Sequence, residues 1–321
     1  MKIGARFAHP RRSPLAGAIT RTCLWLVLIV SLLGSRATAQ QCMDWRAVPG
    51  MTRADIIEAA TLWDPDADGP LSPRLVVAGR FTIAGWPNGI AAQNIAMWDG
   101  TTWQPLGMGV SGNEQYAAIY SLAVFGGELY AGGTFTTAGG SPITGIARWN
   151  GTSWRSLGTG IAGTPPSANL TYVGSMAVYA GELVVAGGFV SAGGMPMNGI
   201  ARWNGTSWNP VSMVGAGING GFTCLTVHNN ELYAGGTFTT INGTPANLVA
   251  KWNPAGSWIA LGNAIPGGGI DPIYRGSTFT STSRVFSLGS YVGELIVGGS
   301  FTSANGVPAS CVARWNGTQW R

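Results

Sequence analysis

Charge is scarce in this 321-residue chain. Asp, Glu, Lys and Arg together make up 10% of it, and its two lysines are Lys2 and Lys251. Histidine occurs twice and cysteine four times. Each shortage excludes something. A nucleic-acid footprint needs clustered Lys and Arg, and none is present. A copper site that takes two histidines cannot be built once His9 is assigned to a leader, which leaves His228 alone. A Ser-His-Asp arrangement has only that histidine to recruit, and no serine sits in a G-x-S-x-G elbow. No two cysteines have C-x-x-C spacing, so a thiolate metal cluster is not expected.

Residues 1–39 read as a secretory signal. They hold Lys2, Arg6, Arg11, Arg12, Arg21 and Arg36 with no acid, an apolar run from Cys23 to Gly34, and Ala37-Thr38-Ala39 before Gln40. The apolar run is short for a bilayer span of about 20 residues, and the small residues fit an A-x-A cleavage site. Arg11-Arg12 is followed by Ser13-Pro14 rather than an aromatic, which favours general over twin-arginine export. Six of the 18 basic residues lie in this segment, leaving 12 against 13 acids, so the pI near 9.2 belongs to the leader. The mature chain is expected to be near-neutral, without a membrane span, and secreted, periplasmic or cell-surface. Cys42, Cys224 and Cys311 remain after cleavage. An oxidising compartment allows one bridge, most plausibly Cys42 with Cys311, while Cys224 takes the place of Ser121, Ser175 and Ser287 in other repeats and reads as a small buried residue.

What the chain has in abundance is glycine, 50 residues, and tryptophan, 14. Both are organised by a phrase written five times: Leu-x-x-x-Gly-x-Phe, a loop with Gly or Pro, then Ile/Val-Ala-x-Trp-Asn/Asp and a second Trp. The Phe falls at 81, 135, 189, 238 and 301 and the first Trp at 98, 149, 203, 252 and 315. A repeat of this length, rich in Gly, indicates an array of small sheets. In the second copy Ile119–Val124, Leu129–Thr136, Gly145–Trp149 and Trp154–Leu157 read as strands A to D, with Asn150-Gly151 marking a tight C to D hairpin in which both turn residues take positive φ. The expected fold is all-β, a β-propeller of four-stranded antiparallel blades with five repeats visible, at about 54–109, 117–160, 172–217, 221–264 and 284–321. A segment at 42–50 with the Trp45-Arg46 pattern of a strand D could close the ring; the rival reading is a piece of a larger propeller with further blades.

Gly79, Gly133, Gly187, Gly236 and Gly299 stand two before each Phe, where a missing Cβ lets strand B approach a neighbouring backbone. Ten tryptophans form the pairs 98/103, 149/154, 203/208, 252/258 and 315/320. Such pairs could stack on sugars, but a ring recurring once per repeat at fixed spacing is read as packing between blades. The Gly-x-Phe-Thr, Ala-Arg-Trp-Asn and Trp-x-x-Leu-Gly phrases resemble the roughly 50-residue repeats of bacterial secreted β-propellers related to the Kelch and Rax2-like cell-polarity-marker groups. The resemblance covers residues 42–321 and implies interaction scaffolding; it departs from Kelch proper in the Gly-Gly doublet and the aromatic spacing.

Strand alternation puts the tight A to B and C to D turns on one face and the longer B to C and blade-to-blade segments on the other, where a ligand is expected. Trp86, in the first B to C loop, is the candidate ligand contact. Asp64, Asp66 and Asp68 have D-x-D-x-D-G spacing, which places carboxylates around calcium, although Pro70, Ser72 and Leu75 depart from a strong loop and a polar turn is the competing reading. Glu128, Glu182, Glu231 and Glu294, each before the strand B Leu, are read as solvated turn residues, and His228 as a turn or surface residue. The function expected is a secreted non-catalytic module binding a protein or polysaccharide. The alternative is a carbohydrate-active enzyme, a glycoside hydrolase or lyase, using two carboxylates on the loop-rich face.

Overall fold

The computed structural model describes residues 56–66, 69–85, 89–112, 117–163, 171–211, 220–241, 244–254, 256–261, 270–271, 274–275, 278–279 and 283–321. The chain divides into two compact units, Met1–Cys42 and Met43–Arg321, and all described residues belong to the second. The segment at 42–50 and Cys42 therefore lie outside the described residues.

The described residues are all β and form a β-propeller. The first sheet runs in the order Ile56–Trp63, Arg74–Arg80, Ile95–Trp98, Trp103–Pro105. The second is Ala118–Phe125, Glu128–Thr134, Ile146–Trp149, Trp154–Arg155, and the third Tyr172–Tyr179, Glu182–Gly188, Ile200–Trp203, Trp208–Pro210. The fourth is Phe222–His228, Glu231–Gly236, Val249–Asn253, Ser257–Ala260, and the fifth Arg284–Tyr291, Glu294–Ser300, Val312–Trp315. Every pairing in these sheets is antiparallel. In the fifth sheet the strand D place is held by Trp320, bridged to Trp315, with Arg321 exchanging backbone hydrogen bonds of 2.8 Å with Arg314. Successive strands A lie side by side from the first sheet to the fifth, so the sheets fan outward from them.

Each strand A carries a β-bulge. In the second sheet Ile119 pairs with Gly133 and Ser121 with Gly132, leaving Tyr120 unpaired; Glu58, Gly174, Thr223 and Phe286 hold the same place elsewhere. The glycine two before each Phe makes this possible. A Cβ on Gly133 would stand 1.9 Å from the Ala118 carbonyl oxygen, and the equivalents are 2.0 Å for Gly79, 2.1 Å for Gly187, 2.0 Å for Gly236 and 2.2 Å for Gly299. Backbone against backbone at that distance has no room to yield.

Alternation along the strands gives each sheet two apolar faces, and at the four successive junctions the facing sides pack together. The Leu of strand B, the Phe, the strand C Ala and both Trp face the preceding sheet: Leu183, Phe189, Ala201, Trp203 and Trp208 share a core with Tyr130 and Ile146 of the sheet before. The same division recurs in the first-to-second, third-to-fourth and fourth-to-fifth cores. The paired Trp rings sit 5.3 to 5.4 Å apart, tilted in four pairs and edge to face in Trp252/Trp258. The second Trp also fastens sheets together, its indole N–H donating to the strand D Leu carbonyl of the preceding sheet: Trp154 to Leu106 and Trp208 to Leu157 at 2.8 Å, Trp320 to Leu261 at 3.1 Å.

Two features differ from the sequence expectation. The C to D turn is not a two-residue hairpin: Trp149 pairs with Trp154, four residues lie between, and only Gly151 has positive φ, at 99°. Asn150 instead keeps ordinary φ and caps the turn, its Oδ1 accepting from the Thr152 and Ser153 amides. Asn204 and Asn316 repeat this, and Asp99 does so in the first sheet, where the Thr102 and Thr101 donors hold its carboxyl well below the usual range. The B to C segment, read as loop, contains a second tier of small sheets. Thr137–Ala138 pairs with Ser141–Pro142 and also with Val110–Ser111, the connection arriving from the first sheet. Ser191–Ala192 likewise pairs with Met195–Pro196 and with Ile161–Ala162. The connector between blades is thus pinned by the hairpin of the blade it enters.

The glycine rule yields a stability test. Gly133→Ala should lower unfolding free energy by about 3 kcal/mol, read from the urea midpoint, because its Cβ meets a carbonyl oxygen. Gly289→Ala, on strand A of the fifth sheet with open space around it and no positive φ, should stay within about 0.5 kcal/mol of wild type.

Candidate binding surface

The sequence-expected positions fall unevenly. Trp86 and Asp68 lie outside the described residues. Asp64 and Asp66 are in the first A to B hairpin, where Asp64 Oδ1 accepts the Asp66 amide at 3.3 Å and Asp66 Oδ2 accepts the Leu71 amide at 3.1 Å. Both thus cap their own turn. No three His, Cys, Asp or Glu side chains cluster as metal ligands among the described residues.

The four glutamates that open strand B are partnered rather than simply solvated. Glu128 accepts from Arg148 at 3.0 Å, Glu182 from Arg202 at 2.8 Å, Glu231 from Lys251 at 2.8 Å and Glu294 from Arg314 at 3.1 Å. Each cation is the third residue of strand C on the same sheet. In the first sheet both places change together, to Arg74 and Met97. The pairs are partly exposed, so each adds at most about 1 kcal/mol.

His228 departs from its reading as a turn or surface residue. It ends strand A of the fourth sheet and is buried, because the last residue of that strand reaches forward onto the next sheet, as Trp63 does when it donates to the Gly127 carbonyl at 3.0 Å. The imidazole Nδ1 stands 2.8 Å from Ser290 Oγ of the fifth sheet and Nε2 stands 3.1 Å from Asn229 Nδ2, with the Tyr233 ring at 6.0 Å. Burial holds its pKa below the ordinary value, outweighing the nearby Glu231 charge. Beside it Glu231 accepts from Lys251 and from Tyr233. Burial resists ionisation of Glu231, but those donors prevail and lower its pKa, while Tyr233 is raised by burial and by that same bond. Cys224 is also buried, which pushes its thiol up to about 12.

Three aromatic groups stand at the beginnings of strand A on the face that bears the longer connections, Tyr120 and Phe286 exposed and Tyr172 half-buried. Tyr120 and Tyr172, from the second and third sheets, meet edge to face with ring centroids 6.4 Å apart, and Thr134 Oγ1 donates to the Tyr120 hydroxyl at 2.8 Å. Gly188 makes space for Tyr172, since a Cβ there would come within 2.4 Å of the ring. On the fifth sheet the Arg284 guanidinium lies 5.7 Å over the exposed Phe286 ring. Tyr120 and Phe286 are bulge residues, so the fold turns them out of the ladder. The sequence signal for these groups is variation: at this place the five repeats put Glu58, Tyr120, Gly174, Thr223 and Phe286 between neighbours that hardly change.

Residues 229–257 and 293–317 correspond to the stretch from the A to B turn to the C to D turn in the fourth and fifth repeats. These two stretches match a β-propeller domain of unknown function, DUF5122. No curated protein sequence matches the chain. Among solved structures it is similar to the computationally designed Ika8 protein, at 12% identity over 81% of this chain and 57% of that one, with a TM-score of 0.40. It is also similar to YCF48 bound to D1 peptide, at 14% identity over 83% of this chain and 66% of that one, TM-score 0.41. The chain thus spans 57% and 66% of the lengths of these two proteins.

The buried histidine sets a pH dependence. Above about pH 6.5 it is neutral in folded and unfolded chains alike; below that, the unfolded chain takes up a proton that the folded site resists. Stability should therefore fall between pH 7 and 5, and the urea midpoint of His228→Gln should vary less over that window than that of the wild type.

Proposed function

We propose that this chain is a non-catalytic binding module working outside the cytoplasm, and that its ligand docks on the aromatic strip formed by Tyr120, Tyr172 and Phe286 with Arg284. The observation that carries this reading is the shared placement of these rings at the beginnings of strand A on the face with the longer connections, Tyr120 against Tyr172 and Phe286 beneath Arg284, with Tyr120 and Phe286 exposed. Flat rings offer area at small entropic cost, and the guanidinium adds a charged donor beside them. The carboxylates favour the same reading. Glu128, Glu182, Glu231 and Glu294 are held by cations on their own sheets, and Asp64, Asp66 and Asp99 by turn amides. A hydrolase or lyase needs two acids facing one sugar, and these seven are committed elsewhere. The leader-like residues 1–39 support export, and a glycan, whose C–H faces stack on aromatic rings, is the ligand to test before a protein segment.

Binding of the chain to a broad polysaccharide array, with and without calcium, tests this. Saturable binding is expected, weakened at least about tenfold in Tyr172→Ala and in Phe286→Ala. Binding that survives both substitutions removes the strip from the reading, and no binding in any condition moves the ligand to a protein.

A further inference from the structure

Two places meet across a junction at the end of strand A: the last residue of one strand, and the last but one of the strand A that follows. Trp63 and Val124 belong together in the first core, and Tyr179 and Val227 in the third. Phe125 and Val178 hold the same two places at the second junction. A ring against an aliphatic side chain is thus the rule. The fourth junction replaces both members. His228 takes the place of the ring and Ser290 that of the aliphatic residue, and the imidazole Nδ1 stands 2.8 Å from the hydroxyl. Either change alone would only remove apolar packing. Together they bring a base and a hydroxyl into contact from positions 62 residues apart.

The surroundings suit proton transfer. Ser290 is exposed and His228 is buried, so a reagent in solvent meets the hydroxyl before the imidazole. Burial keeps the ring neutral at pH 7, with its base form available. Nε2 faces the Asn229 side-chain amide at 3.1 Å. The two ends of that amide interchange by a half-turn about its last torsion; with the oxygen toward the ring, Nε2 carries the ring proton and Nδ1 presents its lone pair to the Ser290 hydroxyl. Asn229 stands where the turns of the second, third and fifth sheets have Gly126, Ala180 and Val292, all at positive φ, so a third departure from the repeat falls at the same spot. The Glu231 charge acts on the ring and favours the imidazolium formed when the proton moves, while Lys251 and Tyr233 hold Glu231 in place. On the fifth sheet the turn beyond Ser290 carries Glu294, held by Arg314 and Arg321.

We propose that Ser290 is a nucleophilic serine, activated by His228 with Asn229 as the positioning residue, and that it is a site of covalent acylation by carboxylic esters. Oγ attacks the ester carbonyl carbon while its proton passes to Nδ1. The tetrahedral adduct then collapses, its bond to the alcohol oxygen breaks, and the imidazolium returns the proton to the leaving alcohol. The products are Ser290 carrying the acyl group and one free alcohol, with no change of oxidation state. This is a modification of the chain rather than turnover, and it stands apart from the binding reading. Ser290 and Arg284 lie near opposite ends of one eight-residue strand, about 20 Å apart when extended, so the acylated hydroxyl and the aromatic strip do not share a ligand.

Incubation of the purified chain with p-nitrophenyl acetate and, separately, with a fluorophosphonate probe tests this, read by intact mass and peptide mapping. One adduct per chain is expected, on Ser290, forming faster as pH rises from 5 to 7 and the imidazole loses its proton. Ser290→Ala should remove it. His228→Gln and His228→Tyr, the latter restoring the ring that the third junction uses, should each slow it at least about a hundredfold, with melting curves taken to confirm that both variants fold. No adduct on Ser290, labelling spread equally over other serines, or a rate that both His228 variants leave unchanged overturns the proposal.

Discussion

In all five sheets a strand B glycine passes beneath the carbonyl at the start of strand A, which lies 1.9 to 2.2 Å from where a Cβ would sit. The absent Cβ admits the bulge, and the bulge shifts the register of strand A after one residue. That shift decides which side chains face each neighbouring sheet. Ile119, before the bulge, packs backward with Phe135 and the Trp149/Trp154 pair, while Tyr120, within it, turns out of the ladder. Cores between sheets and the aromatic strip thus follow from one steric condition.

Interactions between sheets are divided by strength and by reach. Apolar burial at about 25 cal/mol per Å² dominates, with Phe and two Trp contributed by every repeat. The indole to carbonyl bonds add direction, since each needs the Leu of the preceding strand D in place. The ion pairs lie within single sheets and tie strand B to strand C without linking neighbours. His228 reaches across the fourth junction to Ser290, a polar, proton-sensitive contact at the place where the first junction uses the Trp63 indole.

Much of the fold was legible in the sequence, because its determinants recur. The glycine two before each Phe and the paired tryptophans could be read as close approach and as packing, and the structure gives both a distance. The two-residue strands of the second tier were hidden, since pairing between Val110–Ser111 and Thr137–Ala138 is a backbone contact across a connector and leaves no hydrophobic period. The Asn-Gly turn misled through a general preference: here Asn150 acts by its side chain, and a four-residue loop satisfies it better than positive φ would. His228 was misplaced because a lone polar residue beside Asn229-Asn230 has the local look of a turn, whereas its burial comes from the fifth sheet, 62 residues away. The aromatic strip was invisible for the opposite reason, lying where the repeats differ.

The self-closing outer hairpin has an evolutionary consequence. Asn150, Asn204 and Asn316 satisfy the turn that follows each of them using only residues two and three further on. A blade's rim therefore asks nothing of its neighbours; its obligations run fore and aft through the Trp face and the face opposite. A unit with that property can be copied or deleted whole, its two faces fitting whichever blades it lands between. Unequal recombination at this period would lengthen or shorten the array while preserving each junction, and the spread of 49 to 63 residues between successive Phe positions shows the connectors absorbing what the blades do not.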